Sequence, residues 1–274
     1  MSITEAFILG AVQGATEFLP VSSSGHLAIT SALLGVENTS LAFTIILHLG
    51  TLLAIVIAYK ESVFNLIRSF FMMVGDVFRG KGFGFKEDKY RWYIVLLIVA
   101  SIPAGIVGVF FGDVIDELFS SVYFVIITLS VTGVILIVGE RIGAKAANKN
   151  IEDLSPVQAF GVGLFQMCAV LPGISRSGTT TVGGLTFGLK KDEALELSFL
   201  MALPAILGSL LLDIKDIIGT VMDLSVPVVG VGFVTSLIVG YFSINFFKKV
   251  VKKGSMAIFS VYLWALSFIL LIIL

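Results

Sequence analysis

A lone arginine, Arg176, sits inside an otherwise uncharged segment, Leu171-Pro-Gly-Ile-Ser-Arg-Ser-Gly-Thr-Thr180. Its planar guanidinium can grip phosphate oxygens two at a time and offset charge in a phosphoryl-transfer transition state. Ser175, Ser177, Thr179 and Thr180 add hydroxyls around it, and Gly173 and Gly178 free the backbone to turn N–H groups toward an anion. A second polar segment, FLPVSSSGH, sets Ser22, Ser23 and Ser24 beside His26, with Glu17 just ahead. His26 suits the work of general base or nucleophile; alternatively Ser23 attacks phosphorus while His26 takes its proton. Gln13 precedes Glu17 by one helical turn, so their oxygens share a face and could hold a divalent cation against a diphosphate. Plainer roles compete with each of these: a packing break at the glycines, a capping His26, a Glu17 that bonds broken helix ends. His48, the other histidine, is expected to be structural.

The elements that carry these residues follow from composition. With 57% apolar residues, 14% charged residues and a mean hydropathy of +1.04, the chain lies outside the soluble range and reads as an all-α polytopic membrane protein. A net charge of −1 favours neither a nucleic acid nor an acidic partner, and a single Cys168 excludes a disulfide within the chain. The N-terminal residues lack a basic flank and carry Glu5 and Glu17, so they do not read as a cleaved signal peptide. A helix needs about 20 apolar residues to cross the bilayer. Leu41 to Tyr59, Trp92 to Phe111, Val122 to Gly139, Val226 to Phe247 and Ala257 to Leu274 qualify, with a sixth span near Leu195 to Leu212. Residues 6–35 and 157–188 are apolar but split by the two polar segments, with arms too short to span alone.

Positive charge collects in cytoplasmic loops. Lys and Arg cluster in residues 60–91 and 140–153, at Lys190 and Lys191, and from Lys248 to Lys253. Residues 112–121 and 213–225 hold Lys215 against Asp113, Asp116, Glu117, Asp213, Asp216 and Asp223, and are expected outside. This alternation requires residues 157–188 to return to the side they entered from, as a hairpin or as two spans. Counting back from residue 60 puts the first broken region on the outer side, so two hairpins would enter from opposite faces, an inverted-topology repeat. AFILGAVQ (Ala6 to Gln13) matches AFGVGLFQ (Ala159 to Gln166) 153 residues on, and Ser22, Ser24 and Gly25 align with Ser175, Ser177 and Gly178. The chain is thus expected to be one membrane domain, 1–274, of two halves, about 1–150 and 151–274. The hairpin tips would meet near the midplane, gathering Glu17, Ser22 to Ser24, His26, Ser175, Arg176 and Ser177 in one cavity.

The motifs Gln13-x-x-x-Glu17, PVSSSGH (Pro20 to His26) and PGISRSGTT (Pro172 to Thr180) closely resemble those of the bacitracin-resistance-type undecaprenyl-diphosphate phosphatases, over essentially the whole chain. The resemblance implies hydrolysis of a polyprenyl diphosphate, undecaprenyl by default, to the monophosphate plus phosphate. That step recycles the lipid carrier of cell-wall polymer synthesis. It implies six transmembrane helices plus two re-entrant hairpins in the plasma membrane, often as a homodimer, with the site open to the extracytoplasmic side. A divalent cation, Mg²⁺ or Ca²⁺, is implied as cofactor. By this likeness Glu17, Ser22, Ser23, His26, Ser175, Arg176, Ser177 and Thr180 are functional positions. Gln13 departs from the Glu of many members, which leaves Glu17 the main acidic ligand, and Ser24 stands where many relatives have Thr. Another phosphatase superfamily with similar elements needs a second histidine after its arginine; position 182 is Val, so that likeness fails. The rival from a different class is a secondary transporter or flippase for an anionic lipid or phosphate, which needs the binding arginine but neither nucleophile nor base.

Overall fold

A computed structural model describes residues 1–274 except 37–40, 86, 120, 144–146, 213–223, 254 and 274. Asp213, Lys215, Asp216 and Asp223, part of the charge argument for one outer loop, therefore lie outside the described residues. Twelve helices are described: α1 (Ile3–Phe18), α2 (Ser23–Leu33), α3 (Leu41–Ala58), α4 (Lys60–Phe78), α5 (Lys89–Phe110), α6 (Gly112–Phe119), α7 (Val122–Gly143), α8 (Pro156–Cys168), α9 (Arg176–Thr186), α10 (Lys191–Leu212), α11 (Val226–Lys253) and α12 (Ala257–Ile273). The protein is all-helical because a bilayer offers no partner to an open backbone.

Four of these helices, α5, α7, α10 and α11, are long and apolar enough to cross a membrane; α3 with α4 also passes, as a pair bent by 92°. The apolar α12 has 17 residues. The protein is a multi-pass membrane protein. The arms of the two broken regions are short: α2 and α9 have 11 residues each, about 16 Å at 1.5 Å per residue, roughly half the hydrocarbon layer.

Helix α4 was not expected from the charge-rich segment that contains it. Val63, Leu66, Ser69 and Met73 are buried beneath it, while Phe64, Phe71 and Phe78 are exposed on it. The helix turns sharply from α3 and carries Lys60 and Arg68 along it. The buried Arg91 of α5 secures it through an ion pair to Asp76.

The halves interlock. Helix α1 packs along α11 and α3, whereas α8 packs along α5 and α9. Close approach is made possible by small residues at equivalent positions. A Cβ on Gly10 would stand 2.7 Å from the Gly232 carbonyl oxygen, and one on Gly163, 153 residues later, would strike the Ala100 carbonyl on α5. Helix α9 lies against both α7 and α10, and α12 lies against α7.

Candidate active site

Two breaks build the site. The first, between α1 and α2, places Ser22 as the N-cap of α2; the second, between α8 and α9, places Ser175 as the N-cap of α9. Their local bonding repeats. Ser22 Oγ accepts from the Gly25 N–H at 3.5 Å and Ser175 Oγ from the Gly178 N–H at 3.3 Å. The hydroxyl pairs Ser22–Ser24 and Ser175–Ser177 stand at 3.2 and 3.3 Å. Ser22 holds φ at 69°, the one described non-glycine residue at positive φ, a backbone state that costs about 1–3 kcal/mol and persists only where surroundings enforce it.

Irregular backbone buried away from water must be satisfied by protein groups. Helix α7 supplies them for the second break: Thr128 Oγ1 donates to the Pro172 carbonyl at 2.5 Å and Thr132 Oγ1 to the Gly173 carbonyl at 3.0 Å. Thr132 Oγ1 also accepts from the Ser175 N–H at 3.1 Å. The first break is tied to the second, because Ser177 Oγ donates to the Leu19 carbonyl at 3.1 Å. The absence of a side chain at Gly178 matters here: a Cβ would lie 2.8 Å from that of Pro20.

Where the breaks meet, Arg176 Nη2 forms an ion pair with Glu17 Oε1. Glu17 is 6% exposed, and its other oxygen is equally engaged. Ser23 Oγ donates to Oε2 at 2.6 Å and Gln13 Nε2 donates to it at 3.0 Å. His48 Nε2 is 3.8 Å from the same oxygen. Its Nδ1, 2.8 Å from the Thr44 carbonyl, has a hydrogen-bond acceptor as its partner, so Nδ1 carries the proton and Nε2 is the atom turned to Glu17. These groups face a cavity of about 230 Å³ lined by Glu17, Ser22, Ser23, Ser24, His48, Ser175 and Arg176, with Thr16, Phe119, Ser209 and apolar residues of α8 to α10 completing it. A fixed cation, a carboxylate and four serine hydroxyls at one wall can receive an anionic group and move a proton.

Not every residue singled out from sequence reaches this wall. His26 stands behind the start of α2: its Nδ1 is 2.8 Å from the Ser22 carbonyl and its Nε2 2.7 Å from the Tyr262 hydroxyl, with the two rings stacked. Among the described residues, His48, expected to be structural, is the histidine that lines the cavity. Ser177 is turned to Leu19, and Thr180 Oγ1 to the Arg176 carbonyl at 2.7 Å and the Ser198 hydroxyl at 2.6 Å. Thr179 is buried with its hydroxyl unpartnered. Gly173, at φ 88°, shapes the turn against Thr128. Gln13 lies fully buried behind Glu17, its Oε1 also unpartnered. Sequence reasoning passed over Thr128 and Thr132, though two threonines one turn apart in an apolar span are a usable signal for a satisfied break. Nothing local marks Tyr262 or Ser209.

An all-helical, multi-pass membrane chain whose two helix breaks meet at an ion pair between Arg176 and the buried Glu17 defines a class: integral membrane proteins with an internal polar cavity. The chain belongs to the bacitracin resistance protein BacA family, whose model matches residues 6–269. It is similar to the undecaprenyl-diphosphatase of Methanobrevibacter smithii, 40% identical over 271 residues covering 98% of this chain and 96% of that one. It is also similar to those of Alkaliphilus metalliredigens (40% over 274 residues, 99% and 98%) and Methanosphaera stadtmanae (42% over 279 residues, 100% and 98%).

Proposed function

We propose that the protein hydrolyses undecaprenyl diphosphate, or a related polyprenyl diphosphate, to the monophosphate and phosphate, recycling the lipid carrier used in cell-wall polymer synthesis. The observation that carries this reading is the Ser23 hydroxyl donating to Glu17 at 2.6 Å while Arg176 holds the other carboxylate oxygen. That is a nucleophile, a base and a phosphate-binding cation in contact. The full-length similarity to undecaprenyl-diphosphatases supports the same substrate.

In this mechanism Arg176 takes the terminal phosphate, aided by Ser22, Ser24 and Ser175 on the cavity wall. Ser23 Oγ attacks the terminal phosphorus and its proton passes to Glu17. The bond from that phosphorus to the bridging oxygen breaks, and the polyprenyl monophosphate leaves with that oxygen, protonated in turn from Glu17. Water then attacks the phosphoserine, giving its proton to Glu17, and phosphate departs as Ser23 recovers a proton. Glu17 is preferred to His26 as the proton acceptor because both ring nitrogens of His26 are engaged elsewhere. His26 then acts by anchoring the strained Ser22 backbone to α12, and Ser177, Thr179, Thr180 and Gly173 act by shaping the phosphate-binding turn.

A divalent cation would sit between the protein and the substrate diphosphate. Glu17 is on the cavity wall, and Gln13 Oε1 behind it is a buried oxygen with no hydrogen-bond partner. An ion of the Mg²⁺ kind commonly rests on one or two protein oxygens plus substrate phosphates. When bound it would offset charge on the diphosphate. In the bilayer, α3, α5, α7, α10, α11 and α12 are the six spans, and α1–α2 and α8–α9 the two re-entrant hairpins of an inverted repeat. The recurrence of capping bonds at a spacing of 153 residues and the reciprocal packing of α1 on α11 and α8 on α5 support that repeat. Phe119, from a segment free of Lys and Arg, lines the cavity, which supports an opening to the extracytoplasmic side. Homodimerisation rests on the resemblance alone. Phosphate release from undecaprenyl diphosphate by purified protein, lost on chelation of divalent cations, tests the function; transfer of the intact diphosphate lipid between leaflets with no release would favour a flippase.

A further inference from the structure

A second, larger cavity of about 510 Å³ opens between α5, α8 and α10. It shares Ala169, Val170, Arg176, Ala205 and Ser209 with the first, so the two adjoin along those residues. The character changes along it. The first chamber is walled by hydroxyls, a carboxylate and a guanidinium, whereas the second is mostly apolar, its polar lining limited to Ser101, Gln166, Arg176 and Ser209.

Three glycines line the second space, and packing does not require them. At Gly105 and Gly108 on α5 and Gly208 on α10 an added Cβ would meet nothing within 4 Å. This differs from Gly10 and Gly163, where a neighbouring backbone presses close. Glycine inside a helix costs about 1 kcal/mol relative to alanine, and here no helix contact offsets that cost. All three lie in the halves of α5 and α10 distant from Lys89 and Lys191. Pro204, one turn before Gly208, also lines the groove, and a proline inside a helix removes a backbone hydrogen bond and bends it.

We propose that the groove between α5 and α10 seats the isoprenoid segment next to the diphosphate, with Gly105, Gly108 and Gly208 holding it wide enough for a methyl-branched chain. The inference rests on the phosphatase reading and adds the route by which the lipid tail leaves the site sideways into the bilayer. A phosphate at Arg176 places the first isoprene units where the shared residues Ala169, Val170 and Ala205 begin an apolar wall, and the groove continues from there.

The test fills the groove. Gly105→Leu and Gly208→Leu add bulk where the backbone has room for it, with Gly105→Ala and Gly208→Ala as mild companions. Hydrolysis of undecaprenyl diphosphate is compared with that of dimethylallyl diphosphate, whose single isoprene unit ends before the groove. The ratio of kcat/KM for the long substrate to that for the short one is expected to fall roughly tenfold or more in the leucine variants, and little in the alanine ones. An unchanged ratio would overturn the proposal and leave the groove to ordinary bilayer acyl chains. A polyprenyl diphosphate analogue with a photoreactive group on its third isoprene unit gives a readout that does not depend on hydrolysis. Labelling of α5 and α10 peptides that undecaprenyl diphosphate competes away, and that Gly208→Leu reduces, supports the groove even if the phosphatase reading fails. Labelling confined to other helices, or indifferent to the competitor, overturns it.

Discussion

Arg176 and Glu17 stand 159 residues apart in the chain and form one ion pair, at the place where two helix breaks touch. Each carries an ionisable group that an apolar environment would reject alone, so each accounts for the other's tolerance. The pair takes one carboxylate oxygen and leaves the other, Oε2, to Ser23 and Gln13, with His48 Nε2 3.8 Å away.

Removing either partner should destabilise the protein, and the two losses should not add. Arg176→Gln strands the buried Glu17 carboxylate and is expected to cost about 3 kcal/mol, and Glu17→Gln, which strands the partly exposed Arg176, less. The double variant should lose less than the sum, as a double-mutant cycle of unfolding in detergent will record. Strictly additive losses would mean that the two groups do not interact.

Among the three consecutive serines, Ser23 is expected to dominate turnover. Ser23→Ala should lower kcat roughly a thousandfold or more, whereas Ser24→Ala, which removes one wall hydroxyl bonded to Ser22, should cost about tenfold. Steady-state phosphate release separates them. Equal losses in the two variants would deny Ser23 its special position.

His26 and Tyr262 should act as a unit and His48 separately. Tyr262→Phe removes the partner of His26 Nε2 and should lower kcat in the same direction as His26→Ala, with the double variant little worse than His26→Ala. His48→Leu, which replaces a polar neighbour of Glu17 inside the cavity, should reduce kcat/KM independently of both. Additive effects of His26→Ala and Tyr262→Phe would argue that His26 meets substrate directly.

Ser22 combines a helix cap with a left-handed backbone, so glycine should replace it better than alanine. Glycine accepts φ near 69° without strain and costs only a few tenths of a kcal/mol as a cap, whereas alanine loses both, about 1–2 kcal/mol. Melting temperatures of Ser22→Gly and Ser22→Ala check the order.

Much of this architecture was legible because the sequence has so little polarity to distribute. Arg176 and Glu17 stand out in apolar surroundings, and in a bilayer such residues have few partners available except each other. A repeat is the expectation raised by Gln13 and Gln166, Ser22 and Ser175, and Gly10 and Gly163, residue types that lipid does not select. What escaped was long-range geometry. His26, in the motif, faces Tyr262 from 236 positions away, while His48, in an ordinary apolar span, reaches the cavity. Which side of a helix meets the site depends on its rotation against neighbours, and an all-apolar helix carries no periodicity to reveal it. Helix α4 escaped for a different reason: its many charges mark a loop in a count of cations, although its buried face recurs at helical spacing.

The most direct measurement is release of phosphate from undecaprenyl diphosphate by the purified protein with divalent cation, in wild type, Arg176→Ala and Ser23→Ala. Turnover by the wild type with losses of about a thousandfold in both variants, each still folded, is the predicted result. Full turnover by Ser23→Ala would contradict the serine mechanism, and no release by folded wild-type protein would contradict the phosphatase itself.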